Sequence, residues 1–369
     1  MKRIVLYCAY MIVLISCGGK NHQINDLISF EEFTEKSFSD LPHEVLMGIK
    51  FIPINSDSLK YIFSSPSKIL MKNDKVYIND FRSRKLFVYA LDGSPRFLLS
   101  KFGRTNGEYL QITDFDVDGN GNIWIIDGQS DKVIGFTSNG IHISSTDLPF
   151  QADYIKCLNN GQFMFSIAEW ETGRYRNSHL IITDSSINEV MRCVKKEEER
   201  DANYKLVPSA GIHSVEGKVF FHKPISDLVY SINIDDFSEH KCKFDFAGKT
   251  VPMNARIDTE RYINEFPQYN TLAGSVYFDK DLIVGGIMTD NQIMSFIIDR
   301  QNNVRFVQDD QYMSMVFFGI SDGYLVYMFR PGSEIYPPNI PDKIKSHIMS
   351  NNGYTLALLP LDLISTHLN

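Results

Sequence analysis

Leu86-Phe-Val-Tyr-Ala-Leu-Asp-Gly93 returns 47 residues later as Val133-Ile-Gly-Phe-Thr-Ser-Asn-Gly140, and this pair of stretches decides the fold. Each stretch is rich in aliphatic, β-branched and aromatic residues and ends in Asp-Gly or Asn-Gly. These dipeptides supply the positive φ angles that a two-residue hairpin turn requires. Both stretches therefore predict a strand that turns tightly into its antiparallel neighbour.

A second kind of strand recurs along the whole chain. It is found at Val76–Asp80, Ile123–Asp127, Phe163–Ser166, Val219–His222, Leu282–Gly285 and Tyr324–Tyr327. Counted from the equivalent positions 76, 123, 163, 219, 283 and 325, successive copies are 47, 40, 56, 64 and 42 residues apart. A period of about 40–50 residues with four strands per unit is typical of a β-propeller. We therefore predict an all-β fold, a six-bladed β-propeller that spans residues 44–369.

The last unit of this repeat is one strand short. After Tyr324, the sequence contains one further clear strand, Tyr354–Leu359. The stretch Met47-Gly-Ile-Lys-Phe-Ile-Pro-Ile54 precedes the first full blade and has no other strand to pair with. We expect this N-terminal strand to close the last blade, because closure joins the chain ends and removes two exposed sheet edges.

The start of the chain has the pattern of a secretion signal. Lys2 and Arg3 precede an apolar run of 12 residues, Ile4–Ile15, which is too short to span a hydrocarbon core of about 30 Å. The run ends in Leu14-Ile-Ser-Cys17, which resembles the bacterial lipobox. The resemblance implies a lipoprotein signal peptide at residues 1–16 and lipidation of Cys17.

The residues after Cys17 are polar up to about Leu41, and we expect residues 17–43 to be a lipidated tether. Two acyl chains anchor a soluble body durably in a membrane. We expect an outer-membrane protein that is held by its lipid anchor and faces the periplasm. Display on the cell surface is the alternative; it is the less favoured one because Gly18–Gln23 lacks the acidic cluster that resembles a surface-export signal.

The first two units resemble the NHL-type blade. The resemblance is carried by Tyr77-Ile-Asn-Asp80, by Lys101-Phe-Gly-Arg-Thr-Asn-Gly-Glu-Tyr109 and by Asp118-Gly-Asn-Gly-Asn-Ile-Trp124. More closely, residues 45–362 are similar to the six-bladed NHL/TolB-like propeller lipoproteins of the Bacteroidetes. In blades three to six the Gly-Glu-Tyr phrase is absent, so the assignment there depends on the period alone. We expect Tyr109 and its neighbours to lock the first two blades together.

Composition and motifs argue against several functions. The net charge is −8, and the longest basic cluster, Lys195-Lys196, is followed by three glutamates, so nucleic acid is not an expected partner. The sequence has no Gly-x-Ser-x-Gly, HExxH or CxxC motif, and we predict no catalytic residue, metal or cofactor. Asp114-Phe-Asp-Val-Asp118 copies half of a calcium loop, but Ile125 stands where a bidentate glutamate is needed. We interpret it as a strand that enters a hairpin, with calcium as the alternative.

The candidate binding site is the mouth of the propeller, where the loops after the second strands converge. Arginine makes bidentate bonds to carboxylates, and aromatic rings stack on sugars or apolar groups. We predict that the ligand is a glycan, a peptide or an envelope protein. The predicted ligand-binding residues are Phe81, Arg82, Arg84, Trp170, Arg174, Tyr175, Arg176, Phe329 and Arg330.

Two functions from different classes remain open at this stage. The first is a monomeric, envelope-anchored binding or scaffold lipoprotein that presents one propeller face to its partner. The alternative is a propeller-fold hydrolase or lyase that acts on an envelope or dietary polymer. Three or more Asp, Glu and His side chains converging in the channel would favour the enzyme.

Overall fold

Six sheets surround a central channel in the computed structural model, which describes residues 26–55, 59–63, 65–196, 211–223, 225–337 and 339–368. Cys17 and the predicted signal peptide lie outside the described residues. The described chain begins with the strands β1 (Asp26–Ser29), β2 (Thr34–Ser37) and β3 (Lys50–Pro53), with helix α1 (His43–Met47) between the last two.

The blades follow one another along the chain, and each begins with its innermost strand. Blade 1 contains β4 (Pro66–Lys72), β5 (Lys75–Asp80), β6 (Lys85–Ala90) and β7 (Pro95–Leu99), and blade 2 contains β8 (Asp114–Val117), β9 (Ile123–Asp127), β10 (Lys132–Phe136) and β11 (His142–Asp147). Blade 3 contains β12 (Ala152–Cys157), β13 (Phe163–Ile167), β14 (Ser178–Thr183) and β15 (Glu189–Lys195), and blade 4 contains β16 (Ile212–Val215), β17 (Lys218–His222), β18 (Leu228–Asn233) and β19 (Glu239–Asp245). Blade 5 contains β20 (Thr271–Phe278), β21 (Leu282–Thr289), β22 (Gln292–Asp299) and β23 (Val304–Val307), and blade 6 contains β24 (Val316–Ser321), β25 (Tyr324–Phe329), β26 (Thr355–Pro360) and β3.

The structure confirms the six-bladed architecture and its sequence signals. All six recurring strands are second strands of their blades, namely β5, β9, β13, β17, β21 and β25. The hairpin glycines Gly93 and Gly140 have φ angles of 79° and 77°, in the left-handed region that favours glycine. The predicted two-residue turns are wrong in detail: Asp92 and Asn139 do not have positive φ angles, and the N–H of Gly93 donates to the carbonyl of Ala90, so the loops are three-residue hairpins that end in a glycine. The predicted closure is also confirmed, because Ile52 and Phe51 of β3 pair with Leu356 and Ala357 of β26.

The tether expected at residues 17–43 is wrong for residues 26–43, which belong to the folded body. β1 adds to blade 4 as a parallel fifth strand beside β19, and β2 adds to blade 5 beside β23. Ile28, Phe30, Phe38 and Leu41 are all buried. β1 contributes one buried residue and β2 none, so most of the buried apolar side chains of this segment lie next to its strands, and the strands themselves remain polar.

The hydrophobic core lies between neighbouring blades. Tyr77 of blade 1 packs in one cluster with Phe115 of blade 2, and comparable clusters fill the other gaps around the ring. Three further helices, α2 (Met253–Ile257), α3 (Asp342–Ile348) and α4 (Leu361–Leu368), lie in connections or at the C-terminus. Among the described residues, no helix has both the length and the hydropathy needed to cross a bilayer.

The Gly-Glu-Tyr phrase joins blades 1 and 2, as the sequence predicted. Tyr109 is fully buried, and its hydroxyl lies 3.1 Å from the carbonyl oxygens of both Arg84 and Leu99 in blade 1. The next residue, Leu110, donates its backbone N–H to the carboxylate of Asp127 in blade 2 at 2.8 Å. The phrase therefore holds the two blades together through the hydroxyl group of Tyr109 and the backbone N–H of Leu110.

Candidate functional site

The central channel contains a cavity of about 450 Å³. Its wall includes residues of β4, β8, β12, β16, β20 and β24, the first strands of all six blades. First strands line the channel because each blade begins at the axis and adds its later strands outward. The volume lies within the usual range for small-molecule sites, about 300–1,000 Å³.

His213 on β16 is the least satisfied polar side chain of this wall. Its imidazole stacks on the ring of Phe220, with centroids 5.4 Å apart and an interplanar angle of 19°. His213 is only 7% exposed, and neither ring nitrogen has a hydrogen-bond partner in the described part of the chain. Burial lowers the pKa of His213 to about 3, and the charge of Lys156 acts in the same direction. The ring is therefore neutral at physiological pH, and its one donor and one acceptor have no partner among the described residues.

Asn79, at the end of β5, contributes a second unpaired group to the wall. Its Nδ2 donates to the hydroxyl of Ser67 at 3.1 Å, whereas its Oδ1 has no partner within the described ranges. Asn79 is 1% exposed. Buried polar groups are nearly always hydrogen-bonded, so those left over in a cavity mark positions where a ligand or water can bind.

Charged side chains in the channel tie neighbouring blades together. Lys68 of blade 1 donates to Asp114 Oδ1 at 2.8 Å and to the carbonyl of Phe115 at 2.7 Å, both in blade 2. Asp114 Oδ2 accepts the backbone N–H of Ile155 in blade 3 at 2.9 Å. Burial raises the pKa of Asp114, but both of its oxygens accept hydrogen bonds, which is the arrangement of the ionised carboxylate.

A second set of bonds between blades 2 and 3 lies two residues further along β8 and β12. Lys156 Nζ lies 3.2 Å from Asp116 Oδ1, and Asp116 Oδ2 accepts the backbone N–H of Cys157 at 2.7 Å. Burial opposes ionisation of Asp116, but Lys156 and Lys68 outweigh it and lower the pKa of the carboxyl. Asp114 and Asp116 therefore serve as inter-blade acceptors.

The aspartates that copy half of a calcium loop do not converge. Asp118 closes its own hairpin, accepting the backbone N–H groups of Asn120 and Asn122 at 2.9 Å each. The interpretation as a strand that enters a hairpin agrees with β8, the turn and β9. Across the residues that the structure describes, no group of three or more His, Cys, Asp and Glu side chains could hold a metal ion.

A buried charge cluster beside the cavity joins blades 3 and 4. Glu169 lies 2.9 Å from Lys196 Nζ, 3.4 Å from Lys223 Nζ and 3.3 Å from His179 Nδ1. Burial would raise the pKa of Glu169, but His179 and the two lysines hold it well below its usual range. Lys223 also lies 3.5 Å from Asp153, which lines the cavity. Lys223 of this cluster therefore provides the counter-charge for the carboxylate of Asp153 in the cavity wall.

Of the residues predicted at the mouth, Phe81 alone belongs to the described cavity wall. Asp80 positions its loop by accepting the N–H groups of Arg82 and Ser83 at 3.1 Å each. The guanidinium of Arg84 lies 4.8 Å from the ring centroid of Phe102, in the connection between blades 1 and 2. Arg84 therefore contributes to blade packing, while Phe81, 52% exposed, stands at the channel opening.

Two predicted ligand-binding residues are packed in the interior, which corrects the expectation that their rings face the mouth. Tyr175 is 2% exposed, and its ring centroid lies 5.1 Å from that of Phe150. Phe329 is fully buried, with its ring centroid 6.4 Å from that of Phe51. These rings contribute to the core because burying aromatic area stabilises the fold. The remaining predicted residues, Arg82, Trp170, Arg174, Arg176 and Arg330, are exposed, and Arg174 covers the Tyr175 ring at 4.6 Å.

Sequence reasoning missed His213, Asn79 and Lys156 as wall residues. Arginine and aromatic residues pointed to the loops at the mouth, whereas most residues of the cavity wall lie on the first strands of the blades. The sequence does contain one signal for His213. It lies just before the recurring second strand of blade 4, and the strand before a second strand is the first strand of its blade, which lies near the propeller axis.

The neutral state of His213 predicts a pH effect on stability. An unfolded histidine titrates near pH 6.5, whereas folded His213 titrates near 3, so the folded state binds fewer protons between these values. The free energy of unfolding should therefore fall as the pH is lowered from about 6.5 towards 3. In His213→Phe this contribution is absent, and between pH 7 and 4 the variant should lose about 3 kcal/mol less than the parent. Urea unfolding at several pH values measures the difference, and parallel curves for the two proteins would contradict it.

Comparisons with known proteins agree with this architecture. A family model described as a 6-bladed beta-propeller matches residues 17–319 of the chain. No curated protein matches it. Among solved structures, a Bacteroides fragilis protein described as exported is 18% identical, with a TM-score of 0.72 over 90% of this chain and 98% of its own.

Two further solved structures are less similar to this chain. A member of the DUF4221 family from Bacteroides vulgatus is 8% identical, with a TM-score of 0.56 over 84% of this chain and 95% of its own. Virginiamycin B lyase from Staphylococcus aureus is 12% identical, with a TM-score of 0.46 over 85% and 99%. The likeness to the two Bacteroides proteins extends to the fold alone.

Proposed function

The chain belongs to the DUF5128 family of six-bladed β-propellers, and from that premise we propose that it is an exported binding protein whose ligand occupies the central channel. The observation that carries the proposal is a set of buried polar atoms without a partner among the described residues, both ring nitrogens of His213 and Oδ1 of Asn79, in the wall of one cavity. An unsatisfied buried group costs about 1–3 kcal/mol. A ligand that completes these hydrogen bonds recovers that free energy.

Binding is favoured over catalysis by the state of His213. General bases work best with a pKa near the working pH. Its pKa of about 3 makes the His213 imidazole a weak base, and the wall carboxylates Asp114 and Asp153 already pair with lysines. The alternative, a hydrolase or lyase, would require turnover of an envelope or dietary polymer.

The mouth loops extend the proposed site for a glycan, peptide or envelope protein that is larger than the cavity. The loops that carry Phe81, Trp170 and Arg330 each join the second and third strands of their blade, so the topology places them on one face of the ring. Trp170 is 40% exposed. Exposed aromatic and arginine side chains are common in binding surfaces.

The proposed location is the outer membrane, through lipid on Cys17. The support is the lipobox resemblance at Leu14–Cys17 and the likeness to a protein described as exported. Because β1 is already part of blade 4, the anchor would hold the propeller through no more than residues 17–25. Mass spectrometry of the purified protein should find an acylated Cys17, and an unmodified, cleaved or uncleaved N-terminus would refute the anchor.

The binding proposal is tested with arrays of defined oligosaccharides and peptides. We expect ligands of the parent protein to bind His213→Phe at least about tenfold more weakly, because the ring loses both hydrogen-bonding nitrogens and keeps its shape. The matched control is His240→Phe, which changes a histidine on the outer strand β19 and should leave affinity unchanged. Unchanged affinity in both variants would place the site elsewhere, and turnover of an array ligand would favour the enzyme.

A further inference from the structure

The charges in the channel are already compensated by the protein. The described cavity wall contains three basic residues, Lys68, Lys72 and Lys156, and three acidic residues, Asp114, Asp153 and Asp322. Lys68 pairs with Asp114 at 2.8 Å. Lys156 pairs with Asp116 at 3.2 Å, and Asp153 lies 3.5 Å from Lys223.

The two wall charges outside these pairs are of opposite sign. Lys72 ends β4 and Asp322 follows β24, in adjacent blades at the same end of the channel. Lys72 Nζ donates to the carbonyl of Val117 at 2.5 Å. The wall therefore has no net formal charge, and an anion brought beside Lys156 would also stand beside the carboxylate of Asp116. Burying a charge without a counter-charge is strongly unfavourable.

The buried wall atoms that have no partner among the described residues belong to neutral groups and are of both hydrogen-bonding types. His213 presents one donor and one acceptor, and Asn79 presents the acceptor Oδ1. A hydroxyl group both donates and accepts, so it can satisfy either kind of position. The rings of Phe81, Tyr154 and Phe318 give the same wall apolar surface. Such a wall fits a molecule that combines hydroxyl groups with apolar C–H faces.

We propose that the channel binds an uncharged, hydroxyl-rich ligand, of the chemical class of neutral sugars, and discriminates against anions of the same shape. This inference rests on the proposed function, which places the ligand in the cavity. Specificity is a difference between two affinities. An anion would lose its hydration without gaining an uncompensated positive charge, because Lys68 and Lys156 are already paired and the wall has no net formal charge, so it should bind more weakly than a neutral molecule of the same shape. Asp116 is the residue through which it can be tested, since its carboxylate neutralises Lys156 from behind the wall.

The test uses matched pairs of sugars that differ by one carboxylate: glucose with glucuronic acid, galactose with galacturonic acid, and their disaccharides. Binding to the full mature protein is measured by calorimetry, and ¹⁵N resonances of labelled histidine report on His213. We expect neutral members to shift the His213 resonances and to bind at least about tenfold more tightly than their acids. Acids that bind as tightly as the neutral sugars, or more tightly, would overturn the inference while leaving the channel as the binding site.

Asp116→Asn provides the converse measurement. This variant removes the counter-charge of Lys156 and keeps an oxygen for the N–H of Cys157. The preference for the neutral member of each pair should then fall, or reverse, by about tenfold or more. An unchanged preference would overturn the role of charge pairing. If no sugar, neutral or acidic, shifts the His213 resonances of the parent or the variant, both the inference and the channel as the ligand site fail.

Discussion

Replacing Phe30 with alanine should lower the free energy of unfolding by about 3–5 kcal/mol. Phe30 lies in the segment whose polar composition predicts a tether, yet it is 3% exposed. Its ring centroid lies 5.1 Å from that of Phe246 beside blade 4 and 5.3 Å from that of Phe296 in blade 5. The guanidinium of Arg305 covers the ring at 4.2 Å. The truncation leaves a cavity between two blades, where the surrounding strands cannot collapse freely.

Leu27→Ala is the matched control for this measurement. Leu27 lies on β1 beside Ile28, but it is 55% exposed, whereas Ile28 is 1% exposed. Its replacement should change the free energy of unfolding by no more than about 0.5 kcal/mol. Urea unfolding of the two variants and the parent measures the difference. Similar small changes for Phe30 and Leu27 would show that residues 26–41 are dispensable for the fold, as a tether would be.

Replacing Asp116 with alanine should also lower the free energy of unfolding by about 3–5 kcal/mol, because it leaves the buried Lys156 without its counter-charge. The Asp116 side chain is 1% exposed and that of Lys156 is 9% exposed. The substitution also removes the acceptor of the Cys157 N–H, so one of the two described bonds from a backbone N–H of β12 to a carboxylate of β8 is lost, while that from Ile155 to Asp114 remains. Asp116→Asn should lose less, since its amide oxygen can still accept one hydrogen bond.

An exposed ion pair gives the comparison. Asp147 lies 3.8 Å from Lys132, and its side chain is 86% exposed. Solvent screens such a pair, so Asp147→Ala should change the free energy of unfolding by about 0–1 kcal/mol. Thermal and urea unfolding are both informative here. If Asp116→Ala were as mild as Asp147→Ala, the channel ion pairs would not hold the blades together.

The fold was predictable because its signals are local. The Asp-Gly and Asn-Gly turns require positive φ angles that the chain itself supplies at Gly93 and Gly140. The second strands are recognised by runs of residues that suit a buried sheet, and these runs recur at the period of a blade. Closure by β3 followed from counting strands, since an unpaired edge in the last blade required a partner.

The site was much less predictable. Arginine and aromatic residues selected the mouth loops, but Tyr175 and Phe329 are core residues, and Arg84 packs against Phe102. Composition cannot distinguish an aromatic ring that binds a ligand from one that fills the core, because both need apolar contact area. Phe81 is the predicted ligand-binding residue that the structure places in the described cavity wall, because it directly follows a second strand and so lies at the channel opening.

The number of blades, the order of their strands and the closure of the ring follow from the amino-acid sequence, since turns and strand patterns depend on neighbouring residues. The lining of the channel, and the packing of residues 26–41 in the body rather than in a tether, emerge when the ring is assembled. His213 and Asn79 meet in one cavity although they are far apart in the chain. Lys156 and Asp116 pair across two blades, 40 residues apart in sequence. Such proximity arises from closure of the ring, and no local pattern encodes it.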